Sequence, residues 1–389
     1  MDYGKYVSNR ARSIEISTIR YFFNMVNEVK GAVSLCIGEP DFTTPAHINE
    51  AAVKALEEGK TFYTPNAGLP ELRQEISKYL KRRFGVEYRA ESEIIVTIGA
   101  SQAIDVAIRT LVEPGDEVLI PQPSFVAYTP CTVLAGGKPV FVPTYIEDDF
   151  ALRPDVLENY ITEKSKVLIL PYPNNPTGAV MSRDQLEDLA GVIKKYDLIV
   201  VSDEIYCELT YGMEHTAFAS IPGMWERTVT VNGFSKSYAM TGWRLGYIAA
   251  PAGLAADMLK VHQYNVTCAA TMGQYAAIEA VRNGDGDIQN MRREYDRRRV
   301  FLLNSLREMG FECFEPRGAF YLFPSIKNTG LTSEEFAERL LREAKVAVVP
   351  GSAFGENGRG FVRLAYATSM ENLEEAVKRI RWFMKTKLQ

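Results

Sequence analysis

Histidine and cysteine are scarce in this chain. Three histidines (His47, His215 and His262) stand among 389 residues, and none pairs with another at metal-ligand spacing, so no metal site is expected. The five cysteines (Cys36, Cys131, Cys207, Cys268 and Cys313) never form Cys-x-x-Cys. They read as reduced structural thiols, not as a zinc or disulfide framework. Also missing is any apolar run near the ~20 residues that span a bilayer. The first stretch, MDYGKYVSNRARSIEIS, lacks the apolar core of a secretory signal. A cytoplasmic location without membrane contact is the resulting expectation. Positive charge is not in excess: the formal net charge is -5, which argues against nonspecific nucleic-acid binding. No Gly-x-Gly-x-x-Gly follows an apolar run, which removes the nicotinamide dehydrogenases. Two look-alikes fail on spacing. Gly59-Lys60-Thr61 would close a P-loop, but the glycine required five residues earlier is Lys54. In Gly351-Ser352-Ala353-Phe354-Gly355 the serine sits one place too early for a nucleophile elbow.

What is present is an ordinary globular composition, 46% hydrophobic and 24% charged, with length for about two or three domains. From about residue 50 onward, helical and strand patterns alternate. Residues 49–58 and 70–83 are amphipathic at helical spacing, and 101–111 reads as a helix opening directly after a glycine. Short apolar runs, rich in β-branched residues, fall at 93–99, 117–121, 166–171, 197–202, 227–232 and 245–251. Such runs fit buried strands of a mainly parallel sheet with helices on both faces, an α/β fold. Past about residue 280 the texture changes. A long charged helix over 288–307 leads to a smaller α+β part with strands near 319–324, 346–350 and 361–368, and a last helix over 370–385. The expected division is an N-terminal segment 1–45 packing on the small domain, a large domain 46–285 and a small domain 286–389.

In a parallel α/β sheet, ligands bind beyond the carboxyl ends of the strands, so the residues following each run carry the functional reading. Gly99-Ala100-Ser101 opens a helix, where free backbone N–H groups and a hydroxyl make an anion site; alone, Ser101 reads as a helix cap. Phe125 offers a flat aromatic face, or a core side chain. Asn175, in Asn-Pro-Thr-Gly, puts an amide at the sheet edge, or simply marks a turn. Asp203 ends a wholly apolar run, and a buried carboxylate needs a partner to stay charged; the plainer role is a helix cap. Ser235-Lys236 ends another run, with Arg244 eight residues on, whereas a lone lysine is ordinarily solvated surface. Together these supply an anion cradle, an aromatic plate, an amide, a buried acid, a phenol (Tyr206), an amine and a guanidinium. Pyridoxal phosphate, bound through a lysine with an acid on its ring nitrogen, needs that set.

The chain resembles the class I aminotransferases among the fold-type-I pyridoxal-phosphate enzymes. The motifs carrying the resemblance are Gly38-Glu-Pro-Asp-Phe42, Tyr63-Thr-Pro-Asn-Ala-Gly68, Asn175-Pro-Thr-Gly178, Asp203-Glu-Ile-Tyr206, Ser235-Lys236 with Gly242-Trp-Arg244, and Val362-Arg363. Residues 261–270 and 348–355 are most similar to the bacterial and archaeal subgroup acting on aromatic amino acids, aspartate or N-acetyl-diaminopimelate.

The resemblance implies a large domain with a mostly parallel seven-stranded sheet and a smaller α+β domain. It implies a homodimer with shared active sites, acting on an amino acid and a 2-oxo acid, by family prior 2-oxoglutarate, with ping-pong kinetics. Lys236 would bind the cofactor covalently and then shuttle the proton. Asp203 would keep the ring nitrogen protonated, while Tyr206 and Asn175 bond its phenolic oxygen and Phe125 stacks on its face. Gly99, Ala100, Ser101, Ser235 and Arg244 would hold the phosphate, joined by Tyr63 of the other subunit. Arg363 would fork onto the substrate α-carboxylate, beside Asn175 and the Gly38 backbone. Two positions depart from the family pattern: Phe125 stands where many relatives have tryptophan or tyrosine, and Gly233 where some have a phosphate-binding serine or threonine. The same cofactor set also supports a β-lyase (C–S lyase), the alternative enzyme reading. A cofactor-sensing transcription factor is disfavoured because the aminotransferase pattern begins almost at once.

Overall fold

The computed structural model describes residues 1, 3–16, 25, 26 and 29–388. The parts of the expected N-terminal segment formed by residues 2, 17–24, 27 and 28 lie outside the described residues, as does residue 389.

A two-residue strand, β1 (Val33–Ser34), precedes the main sheet. That sheet has seven strands: β2 (Ile94–Thr97), β3 (Glu117–Gln122), β4 (Lys138–Pro143), β5 (Ser165–Leu170), β6 (Ile199–Asp203), β7 (Thr228–Gly233) and β8 (Gly246–Ala249). Their spatial order is β2-β8-β7-β6-β5-β3-β4. The strands from β3 to β7 pair in parallel, and β8 runs antiparallel between β2 and β7. Every residue of β2, β3, β7 and β8 is buried, as continuous apolar runs require when both faces are covered. One face packs Ala103, Ile104 and Ala107 of the helix Gly99–Leu111. The other packs Leu186, Leu189 and Ile193 of the helix Arg183–Lys195. The leucines and isoleucines among them contribute about 1.5–3 kcal/mol each on burial.

The strand β4 was not among the six apolar runs. It lies at the sheet edge with its first four residues at least partly exposed, and it contains Pro139 and Pro143. Proline is tolerated on an edge and breaks the apolar pattern there.

The helix Asp285–Glu308, 24 residues long, leads to a second sheet. It consists of β9 (Tyr321–Leu322), β11 (Val349–Pro350) and β12 (Val362–Ala365), antiparallel in the order β11-β12-β9. The remaining strand, β10 (Val346–Ala347), pairs in parallel with β1 and ties the N-terminal segment to this region. The helices Ser333–Ala344 and Met370–Lys387 pack here; the first opens with a capping box of Thr332 and Glu335. One apolar cluster runs from Leu35 and Tyr206 through Phe320, Tyr321 and Leu364 to Phe383. The second sheet therefore closes against the strand ends of the first. No helix among the described residues is long and apolar enough to cross a membrane.

Candidate active site

A cavity of about 320 Å³ lies where the two sheets meet, past the carboxyl ends of β5, β6 and β7. Gly38, Ala100, Ser101, Phe125, Asn175, Asp203, Tyr206, Ser235, Lys236, Arg244 and Arg363 all border it, so most of the sequence-derived set converges. Gly99 stands immediately behind Arg244. Tyr63 stands apart from the cavity and is 86% exposed on this chain.

Lys236 follows β7, and its Nζ donates to the Gly38 carbonyl at 2.6 Å. Burial pushes its ammonium down to about 8, helped by Arg363 and Arg244 and opposed by Glu39 and Asp203. A part-buried amine of this kind carries a usable neutral fraction near neutrality. Asp203 closes β6. Its Oδ2 accepts from the Tyr128 hydroxyl at 2.7 Å and its Oδ1 from the Ile205 N–H at 3.3 Å. Burial raises its carboxyl to about 6, against the pull of these two donors. A cation against this carboxylate would hold it charged, which is what a protonated pyridine nitrogen would be.

Opposite them, Arg363 of β12 is 3% exposed and makes no ion pair among the described residues. Its Nη1 donates to Asn175 Oδ1 at 2.9 Å and its Nη2 to the Cys36 carbonyl at 2.7 Å, while its Nε is buried without a partner. A buried guanidinium with a free donor needs an anion, and a ligand carboxylate is the fitting one. The Asn175 amide is aimed by its turn. Asn174 Oδ1 accepts from the Thr177 N–H at 3.1 Å and hydroxyl at 2.8 Å, and Gly178 follows at φ +75°.

The anion corner is built at the start of the helix Gly99–Leu111. Gly99 has φ +78°, and a Cβ there would stand 2.6 Å from Arg244 Nη2; the glycine therefore lets the guanidinium reach the helix N-terminus. Arg244 itself sits in the left-handed region at φ +54°, its Nη1 on the Thr241 carbonyl at 2.7 Å. Ser235 is 7% exposed. The lysine loop is pinned by Thr44, which donates to the Ala239 carbonyl at 2.7 Å and accepts from Trp243 Nε1 at 3.0 Å. Phe125 meets Tyr128 edge to face at 5.7 Å and presents its ring to the cavity.

Among the lining residues that sequence reasoning missed, four carry hydroxyl or carboxyl groups. Tyr128 bonds Asp203, yet it reads as a core aromatic in a short helix; its one signal is the placement three residues past Phe125. Tyr321 bonds Tyr206 hydroxyl to hydroxyl at 2.8 Å and lies under Arg363, with the guanidinium carbon 4.5 Å from its ring centre. It was hidden in the apolar run 319–324. Glu39 lies inside a motif quoted for its glycine, and Thr241 in the loop before Arg244; their side chains meet at 3.3 Å.

An acid, an amine, an anion cradle and a buried guanidinium at the edge of such a sheet make a site fitted to an anionic ligand. The chain belongs to the aminotransferase class I and II family, whose model matches residues 30–380. It is 50% identical to the aspartate aminotransferase of Pyrococcus abyssi over 98% of this chain and 99% of that one. It is 48% identical to a probable N-acetyl-LL-diaminopimelate aminotransferase of Bacillus subtilis, over 96% and 95% respectively. Among solved structures, the aromatic aminotransferase of Pyrococcus horikoshii superposes with a TM-score of 0.90 at 49% identity, covering 95% of this chain and 100% of that one. The protein is thus a transaminase of fold type I, and enzymes of its family depend on pyridoxal phosphate.

Proposed function

We propose that the cavity holds pyridoxal 5′-phosphate and that, with it, the chain moves an amino group from an L-amino acid to a 2-oxo acid, 2-oxoglutarate as the usual acceptor. The observation that carries this reading is one cavity shared by the buried Lys236 amine, its ammonium pushed down to about 8, the Asp203 acid and an Arg363 guanidinium without an ion-pair partner. When bound, pyridoxal phosphate supplies an electron-withdrawing ring that acidifies the substrate Cα–H. Asp203 keeps that ring's nitrogen protonated, because its carboxylate at the end of β6 gains the cation it lacks. Tyr206 and Asn175 hydrogen-bond the ring's phenolic oxygen, and Phe125 covers one ring face. The amides of Ala100 and Ser101, the Ser235 hydroxyl and Arg244 hold the phosphate. Arg363 takes the substrate α-carboxylate in a two-pronged grip that lysine could not supply. Lys236 Nζ, when not bonded to the cofactor, would be the general base that takes the substrate Cα proton. The exposed Tyr63 serves the phosphate of a second copy in a homodimer.

The test is spectroscopic. The purified protein, loaded with pyridoxal phosphate, is mixed with single amino acids from an aromatic, acidic and diamino-acid panel, and its visible absorbance is followed. The expected result is a reversible loss of the visible band with at least one class, restored by a 2-oxo acid. Lys236→Ala should lack both the lysine-bound band and turnover. Normal turnover in that variant would overturn the assignment.

A further inference from the structure

We propose that Tyr321 is a positioning residue for the transamination, linking the substrate-carboxylate side of the cavity to the proton affinity of the bound cofactor through Tyr206. The inference rests on the cofactor reading given above and adds a residue to it.

Three observations carry it. The Tyr321 and Tyr206 hydroxyls lie 2.8 Å apart, and both residues are buried, with Tyr321 at 0% exposure. The Arg363 guanidinium stacks on the Tyr321 ring at 4.5 Å. A Cβ on Gly38 would stand 2.7 Å from the Tyr321 hydroxyl, so the backbone has left room for that oxygen at the cavity wall. Register fixes the placement: Tyr321 pairs with Ala365, two residues past Arg363 on β12, so both side chains leave the second sheet on one face.

The donors then have one consistent order. A phenol carries a single proton. If Tyr206 donates to the cofactor's phenolic oxygen, its own oxygen is left to accept, and Tyr321 is the donor beside it. A cation over the Tyr321 ring favours electron density leaving the hydroxyl, which strengthens that donation, and hydrogen bonds in series polarise one another. A carboxylate arriving on Arg363 screens the cation and weakens the relay. Substrate binding is thereby felt at the cofactor oxygen by a route parallel to the Arg363–Asn175 bond.

The experiment uses the loaded enzyme and reads the pH midpoint of its visible band for the wild type, Tyr321→Phe, Tyr206→Phe and the double variant. Removing a donor from an anionic oxygen raises the proton affinity of the bound group. Tyr321→Phe should therefore raise the midpoint by about 0.5 pH unit, roughly a threefold change in proton affinity. Tyr206→Phe should raise it further, and the double variant should match Tyr206→Phe alone. Saturating 3-phenylpropionate, a plain carboxylate, should raise the wild-type midpoint more than that of Tyr321→Phe. A ring that merely fills space would leave every midpoint unchanged. An unshifted midpoint in Tyr321→Phe, or full additivity in the double variant, overturns the inference alone. Absence of any visible band in the loaded wild type overturns the cofactor reading, and this inference with it.

Discussion

Gly99→Ala separates two effects that one methyl group would have. The residue has φ +78°, and the new Cβ would lie 2.6 Å from Nη2 and 3.2 Å from the guanidinium carbon of Arg244. The left-handed backbone costs an alanine about 1–2 kcal/mol. That strain is present with or without cofactor, so it lowers stability and leaves affinity untouched. The collision acts differently: Arg244 must swing away from the helix N-terminus and gives up a charge-assisted bond to the phosphate, about 1.5–3 kcal/mol. This term exists only in the loaded protein and corresponds to roughly a tenfold to hundredfold weaker Kd for pyridoxal phosphate. The assay pairs thermal melts of the unloaded protein with equilibrium titration of the visible band. A lower Tm with an unchanged Kd would refute the placing of the phosphate between Arg244 and the start of the helix. A weaker Kd with an unchanged Tm would refute the strain at Gly99.

Asp203→Asn removes the charge at the end of β6 and leaves the Tyr128 and Ile205 groups in place; cofactor should be retained while single-turnover rates with an amino acid fall about a hundredfold or more. A rate within threefold of the wild type would show that the ring nitrogen does not need this carboxylate. Lys236 must be neutral to attack the cofactor aldehyde. Because its ammonium is depressed to about 8, the neutral form dominates above that pH and is lost below it. Capture of pyridoxal phosphate by the unloaded protein should slow about tenfold per pH unit below that midpoint and level off above it. Stopped-flow growth of the visible band measures this. A rate still climbing tenfold per unit at pH 9 would mean that burial does not lower this amine.

Two parts of the site legible in the sequence, Asp203 and Lys236, share one property: each is a charged residue just past an apolar strand run. Asp203 after 198–201 and Lys236 after 228–231 are conspicuous because nothing else in those stretches is charged. Tyr128 and Tyr321 have the opposite property. They are aromatic residues among apolar neighbours, and only the structure separates their hydroxyls, on Asp203 and Tyr206, from core packing. The same limit applies to β4, whose prolines hide its strand pattern. Tyr63 shows the reverse case. Its motif stands out in the sequence, but its side chain points to solvent on this chain, as a group serving a second subunit would.

The glycine at 233 has a physical reason that the family pattern alone did not suggest. A Cβ there would stand 2.9 Å from both Gly246 Cα and the Leu245 carbonyl, and a Cβ on Gly246 would meet Ala100 N and Gly99 C at 2.6 Å. The ends of β7 and β8 and the first turn of the helix Gly99–Leu111 are stacked backbone on backbone. A serine or threonine at 233 would have to part that stack and carry the amides of Ala100 and Ser101 away from the cavity. The glycine at this place thus lets the three backbone segments meet. On the proposed cofactor reading, the phosphate load would fall on the peptide N–H groups of Ala100 and Ser101, fixed by this backbone packing, and on the side chains of Ser235 and Arg244.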